Sequence, residues 1–99
     1  MLTGSSPSPE DVAVLVRSAG EPGLQGLRTA LSLSLGDRRP RVYLSGPGLA
    51  MLEAEPGSEA GACLQTLAEA GVGVLVDGRD LDHEAFLGAI RAARFQQTF

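Results

Sequence analysis

With 99 residues the chain has room for one domain around one hydrophobic core, and 43% apolar with 20% charged residues is the make-up of a folded globular protein. A net charge of −4 excludes a general binder of nucleic acid or anionic membrane, which needs a basic face to neutralise phosphates. The single cysteine, Cys63, excludes an internal disulfide and fits a reducing cytoplasm.

Residues 1–10, "MLTGSSPSPE", are rich in Ser and Pro without a period and predict a flexible tail ahead of one domain spanning 11–99. Residues 1–11 show neither the basic start nor the apolar stretch of a signal peptide. No apolar run approaches the ~20 residues of a membrane helix, so the expectation is a cytoplasmic protein without membrane contact.

"VAVLV" (12–16) predicts a buried strand, and "SAGEPG" (18–23) a loop with several breakers. Leu24, Leu27, Leu31 and Leu35 then form an apolar stripe on one helical face, with Gly36 as a left-handed C′ residue. "DRRPR" is a polar loop and "VYLS" (42–45) the second strand; "GPG" ends it, and "LAMLEAE" gives a short helical piece. Ser58 caps a helix over about 59–70 that Gly71 ends, with Cys63, Leu67 and Ala70 on one face and Ala60 and Leu64 beside them. "VGVLV" (72–76) is the third strand. A last helix follows with Phe86, Ile90 and Ala93 in line, and "FQQTF" (95–99) alternates weakly, as a short edge strand does.

Apolar strands alternating with helices predict a three-layer α/β/α sandwich with a mostly parallel sheet of about four strands. Ligand sites in such sheets lie beyond the carboxyl ends of the strands. The loops that matter are therefore "RSAGEPG" with Ser18, "SGPG" with Ser45, Gly46 and Gly48, and "DGRD" with Asp77, Gly78, Arg79 and Asp80.

The stretches "VAVLVRSAGEPGLQGLRTALSLSLG", "RVYLSGPGLAML", "CLQTLAEAGVGVLVDG" and "AIRAARFQQTF" in this order resemble the DsrE/DsrF-like family, which includes the Tus-type sulfur-relay proteins. The resemblance covers roughly residues 11–99. It implies a small α/β domain that assembles as dimers, trimers or hexamers. Sulfur-carrying members keep a cysteine just after the third strand; here the positions read Asp77-Gly78-Arg79-Asp80, and a carboxylate cannot hold sulfane sulfur. The expected function is a non-catalytic binding or assembly subunit in a homo-oligomer or beside a paralogous subunit, with no cofactor and no metal.

Two alternatives stay open. One is a sulfur carrier that uses Cys63. Its helical phase sets it against the sheet, where a free thiol packs as a small apolar residue and stays inert. The other is a small-ligand or anion-binding module at the strand-end loops.

Asp77, Asp80, Asp82, His83 and Glu84 could be read as an oxygen-rich metal cluster, but a helix start attracts such residues for capping alone, and capping by Asp80 or Asp82 is the expected role. A phospho-receiver reading fails because no acidic pair follows the first strand and the chain has no lysine. "SGPG" is neither a P-loop nor a dinucleotide fingerprint, and Pro47 lacks an N–H to offer an anion. His83, the only histidine, has no Ser or Cys near it in sequence and is expected as a solvated first-turn residue. Arg38, Arg39 and Arg41 are expected as a solvated basic patch, large enough to touch an acidic partner.

Overall fold

A computed structural model describes residues 12–36 and 38–99; the tail 1–10 expected from composition lies outside them. The elements run β1 (Val12–Val16), α1 (Gly20–Ser34), β2 (Pro40–Leu44), a 3-10 helix (Gly46–Glu53), α2 (Glu59–Glu69), β3 (Val74–Val76), α3 (His83–Ala92) and β4 (Phe95–Thr98). The sheet has four strands in the order β3-β2-β1-β4, and every pairing is parallel. This is the α/β sandwich that the apolar strand runs demand: a strand buried on both faces has no polar side to spare.

Successive side chains of a strand point to opposite faces. Val12, Val14, Val16, Val42, Leu44 and Val76 pack against α1, α2 and the 3-10 helix, together with Leu27, Ala30, Met51, Cys63 and Leu67. Ala13, Tyr43, Leu15 and Leu75 face α3, which contributes Phe86 and Ile90. Tyr43 and Phe86 meet edge to face, their ring centroids 5.4 Å apart, an arrangement that aromatic quadrupoles favour. One face thus carries two α-helices and a 3-10 helix, the other a single helix.

Several boundaries differ from the sequence expectation. α1 begins at Gly20 rather than after the "SAGEPG" loop. Pro22 is tolerated in a first turn because its missing N–H has no intrahelical acceptor there, and Glu21 suits the helix dipole. The expected Leu stripe holds for three of its four residues: Leu27 is buried and Leu24 and Leu31 pack against the same core, with Gly23, Gly26 and Ala30 beside them, whereas Leu35 lies past the helix end and is 81% exposed. Gly36 is not left-handed; Leu35 closes the helix in right-handed geometry by donating to the Leu31 and Ser32 carbonyls.

α2 follows its expectation closely. The Ser58 hydroxyl accepts from the Gly61 N–H at 3.1 Å. Gly71, at φ 79°, ends the helix with N–H bonds from Gly71 to Ala68 and from Val72 to Leu67, the paired bonds of a Schellman turn. Because Val72 is spent in that turn, β3 is shorter than the predicted 72–76, and Ala70, expected on the buried face, is exposed at the cap. The weakly alternating C-terminal segment pairs with β1 as an edge strand. Among the described residues no helix is long and apolar enough to cross a membrane.

Candidate functional site

The register Val16↔Leu44 and Leu44↔Val76 sets the next residue of each strand side by side. These residues are Arg17, Ser45 and Asp77, and two backbone bonds carry the register on to them: Ser45 N–H to the Val16 carbonyl (3.1 Å) and Asp77 N–H to the Leu44 carbonyl (3.1 Å). Each lies two residues beyond a side chain of the α3 face (Leu15, Tyr43, Leu75), so all three project to that face. His83, the first residue of α3, stands over the row. Arg17, Ser45, Asp77 and His83 line one cleft of about 270 Å³, with Leu15, Phe86 and Leu87 as its apolar part.

The loop between β3 and α3 is built by its own aspartates. The Asp80 carboxylate turns back to accept the Val76 N–H at 2.8 Å. Asp82 caps α3 by accepting the Ala85 N–H at 2.8 Å. Gly78, at φ 81°, makes the turn that L-side chains resist and donates to the Leu81 carbonyl at 2.8 Å. This folding back of six residues sets His83 against Asp77. Its Nδ1 lies 2.9 and 3.2 Å from the two oxygens of Asp77.

An ionised carboxylate only accepts, so Nδ1 carries a proton, and in the singly protonated ring Nε2 is the acceptor. The His83 side chain is 69% exposed and Asp77 only 20%. His83 is the exposed first-turn residue expected from the sequence, and in addition its ring is held in one orientation by a half-buried carboxylate. Arg17 and the Ser45 hydroxyl have no hydrogen-bond or ion-pair partner among the described residues. Ser45 occupies the N-cap of the 3-10 helix without capping it through its side chain.

The other sequence-nominated residues serve the frame. Ser18 follows Arg17 outside the cleft, with its carbonyl against Gly23. Gly46 takes φ 52° in the turn after β2, and the Gly48 N–H is used by the Ser45 carbonyl at 2.9 Å. Gly48 also lies so close to the Val16 carbonyl that a Cβ there would sit 2.1 Å from its oxygen. Arg79 is exposed and reaches Asp80 at 3.6 Å, a surface pair of small energy.

Cys63 is buried in the core between α2 and the sheet, and burial, then the nearby Glu59 carboxylate, pushes its thiol above the ordinary range. Among the described residues no group of three or more His, Cys, Asp or Glu side chains could hold a metal ion. Arg38 stacks over the Phe95 ring at 4.9 Å, so part of the expected basic patch is packed rather than purely solvated.

A larger hollow of about 390 Å³ opens at the opposite end of the sheet, lined by Ser34, Arg38, Arg39, Pro40, Gly71 and Val72 among others. It lies at the amino ends of the strands, and among the described residues its lining has no carboxylate. The smaller cleft is the better site because it stands at the carboxyl ends and brings four polar side chains to one point. Sequence reasoning nominated Ser45 and Asp77 but not Arg17, whose signal was available: it continues the alternation of β1 onto the same face as Ser45 and Asp77. No family model, no curated protein and no solved structure matches the chain.

Proposed function

We propose that this chain is a DsrE-like binding or assembly subunit without the carrier cysteine, and that its ligand site is the cleft at the carboxyl ends of β1, β2 and β3. It acts in the cytoplasm, in a homo-oligomer or beside a paralogous subunit. The observation that carries the binding reading is the convergence on one half-apolar cleft of a guanidinium and a hydroxyl without partners among the described residues and an oriented imidazole. Groups of this kind fix the orientation of small ligands, while the apolar walls supply affinity. The exposed edge strand β4 leaves an outer row of backbone groups for a neighbouring subunit, which favours the assembly part.

Relay through Cys63 gains no support from a thiol that is buried and harder to ionise than usual. The test is an amide-resolved NMR titration with a panel of small organic acids, alcohols and phosphates. Shifts confined to Arg17, Ser45, Asp77–His83 and their neighbours are expected with at least one class. A panel that leaves those amides unmoved would sink the binding reading, and a monomer at high concentration with no captured partner would sink the assembly reading.

A further inference from the structure

We infer that the ligand of this cleft is a small 2-hydroxy acid with an apolar body: a carboxylate, a hydroxyl on the adjacent carbon, and a hydrocarbon or aromatic side group. The inference rests on the binding reading above and specifies its chemistry.

Three features of the cleft select three features of the ligand. Arg17 supplies the only cation of the lining apart from what His83 adds when protonated, and among the described residues it has no carboxylate of its own. A planar guanidinium matches a carboxylate in two parallel hydrogen bonds. The Ser45 hydroxyl sits next to Arg17 in the strand-end row and has a proton to donate to the same anion.

The far end of the row has the opposite preference. The Asp77 carboxylate repels a ligand carboxylate, so the anion must lie at the β1 end of the cleft. Asp77 also fixes a His83 proton on Nδ1, at 2.9 Å, so that whenever the ring carries a single proton its Nε2 is an acceptor. An acceptor there calls for a donor on the ligand, on the side away from its carboxylate. A hydroxyl on the ligand provides it, and placing it on the carbon next to the carboxylate keeps the molecule compact enough for a cleft of about 270 Å³. The remaining wall, Leu15, Phe86 and Leu87, is apolar. At about 270 Å³ the cleft falls below the ~300 Å³ at which drug-sized pockets begin, so the body is a single ring or a short branched chain.

Mandelate has all three features. O-Methylmandelate keeps the carboxylate and the ring but loses the donor, and benzyl alcohol keeps the ring and donor but loses the anion. The full chain is titrated with each by NMR, following the amides of Arg17, Ser45, Asp77 and His83. Mandelate is expected to bind in the cleft, O-methylmandelate about tenfold more weakly, as the loss of one hydrogen bond to a positioned acceptor implies, and benzyl alcohol weakest.

Two variants read the two ends separately. Arg17→Gln is expected to weaken both acids together. Asp77→Asn presents an amide N–H to the ring, releases the fixed tautomer and is expected to erase the preference for hydroxyl over methoxy while retaining acid binding. Unchanged melting temperatures for both variants keep a folding defect from mimicking these results. Equal affinity for mandelate and its methyl ether, or mandelate silent while another panel compound shifts the same amides, would overturn the hydroxy-acid inference and leave the binding reading standing. Silence of every compound at these amides would overturn both.

Discussion

Three aspartates within six residues have three different fates. Asp80 closes the loop onto the Val76 N–H, Asp82 caps α3, and Asp77 holds the His83 ring. The first two belong to stability. Asp80→Ala is expected to cost about 1–2 kcal/mol, since it leaves a part-buried N–H without its charged acceptor, and Asp82→Ala about 1 kcal/mol for a lost cap. Urea denaturation measures both. Capping was legible in the sequence because a strand end followed by a helix start requires it. The Asp77–His83 contact was not, because it depends on the turn at Gly78 folding six residues back on themselves.

Cys63 gives a second prediction at this scale. Its raised native thiol value means that the folded protein holds the proton more tightly than the unfolded chain. That contribution is complete below the ordinary thiol value of 9.0 and is lost as pH climbs from there through the native value. The urea midpoint should therefore fall between pH 8 and pH 10 by more in the native sequence than in Cys63→Ala. Iodoacetamide should modify the folded protein far more slowly than the urea-unfolded chain, because attack needs an exposed thiolate; equal rates would restore the carrier reading.

At the scale of elements, a tight junction lies where the 3-10 helix crosses the end of β1. Gly48 is required there because the Val16 carbonyl occupies the place of a side chain. Gly48→Ala is expected to destabilise by about 1–3 kcal/mol through forced backbone displacement. Because Val16 precedes Arg17, it should also weaken ligand binding at a site it does not touch; calorimetric melting and the same titration check the two effects. The strands were readable from their apolar runs, and α2 from Ser58 and Gly71, whose roles are local. The start of α1 was not, since Pro and Gly in a row read as a loop until the close contact of Gly23 with the Ser18 carbonyl is known. Leu35 misled for the opposite reason: its spacing fits the helix face, but the helix ends before it.

Across the whole molecule, the alternation of three strands fixes which face each strand-end residue meets, and the helix on that face begins at the same edge. The site follows from this coincidence. Any one of Arg17, Ser45, Asp77 and His83 is unremarkable in sequence; register brings the first three into a row, and the loop sets His83 over it. The fold class was therefore legible from patterning, whereas the site required the register, which no single segment encodes.

The pairing of β4 with β1 joins the last described strand to the first. On synthesis, β1 waits until Phe95–Thr98 has been made before its second neighbour arrives, and long sequence separation slows such closure. Until then the apolar run Val12–Val16 is an open edge, the kind of segment that templates intermolecular pairing. Removing residues 95–99 should therefore increase aggregation on refolding, as light scattering would register, and the small strand "FQQT" acts as the guard that ends this exposure.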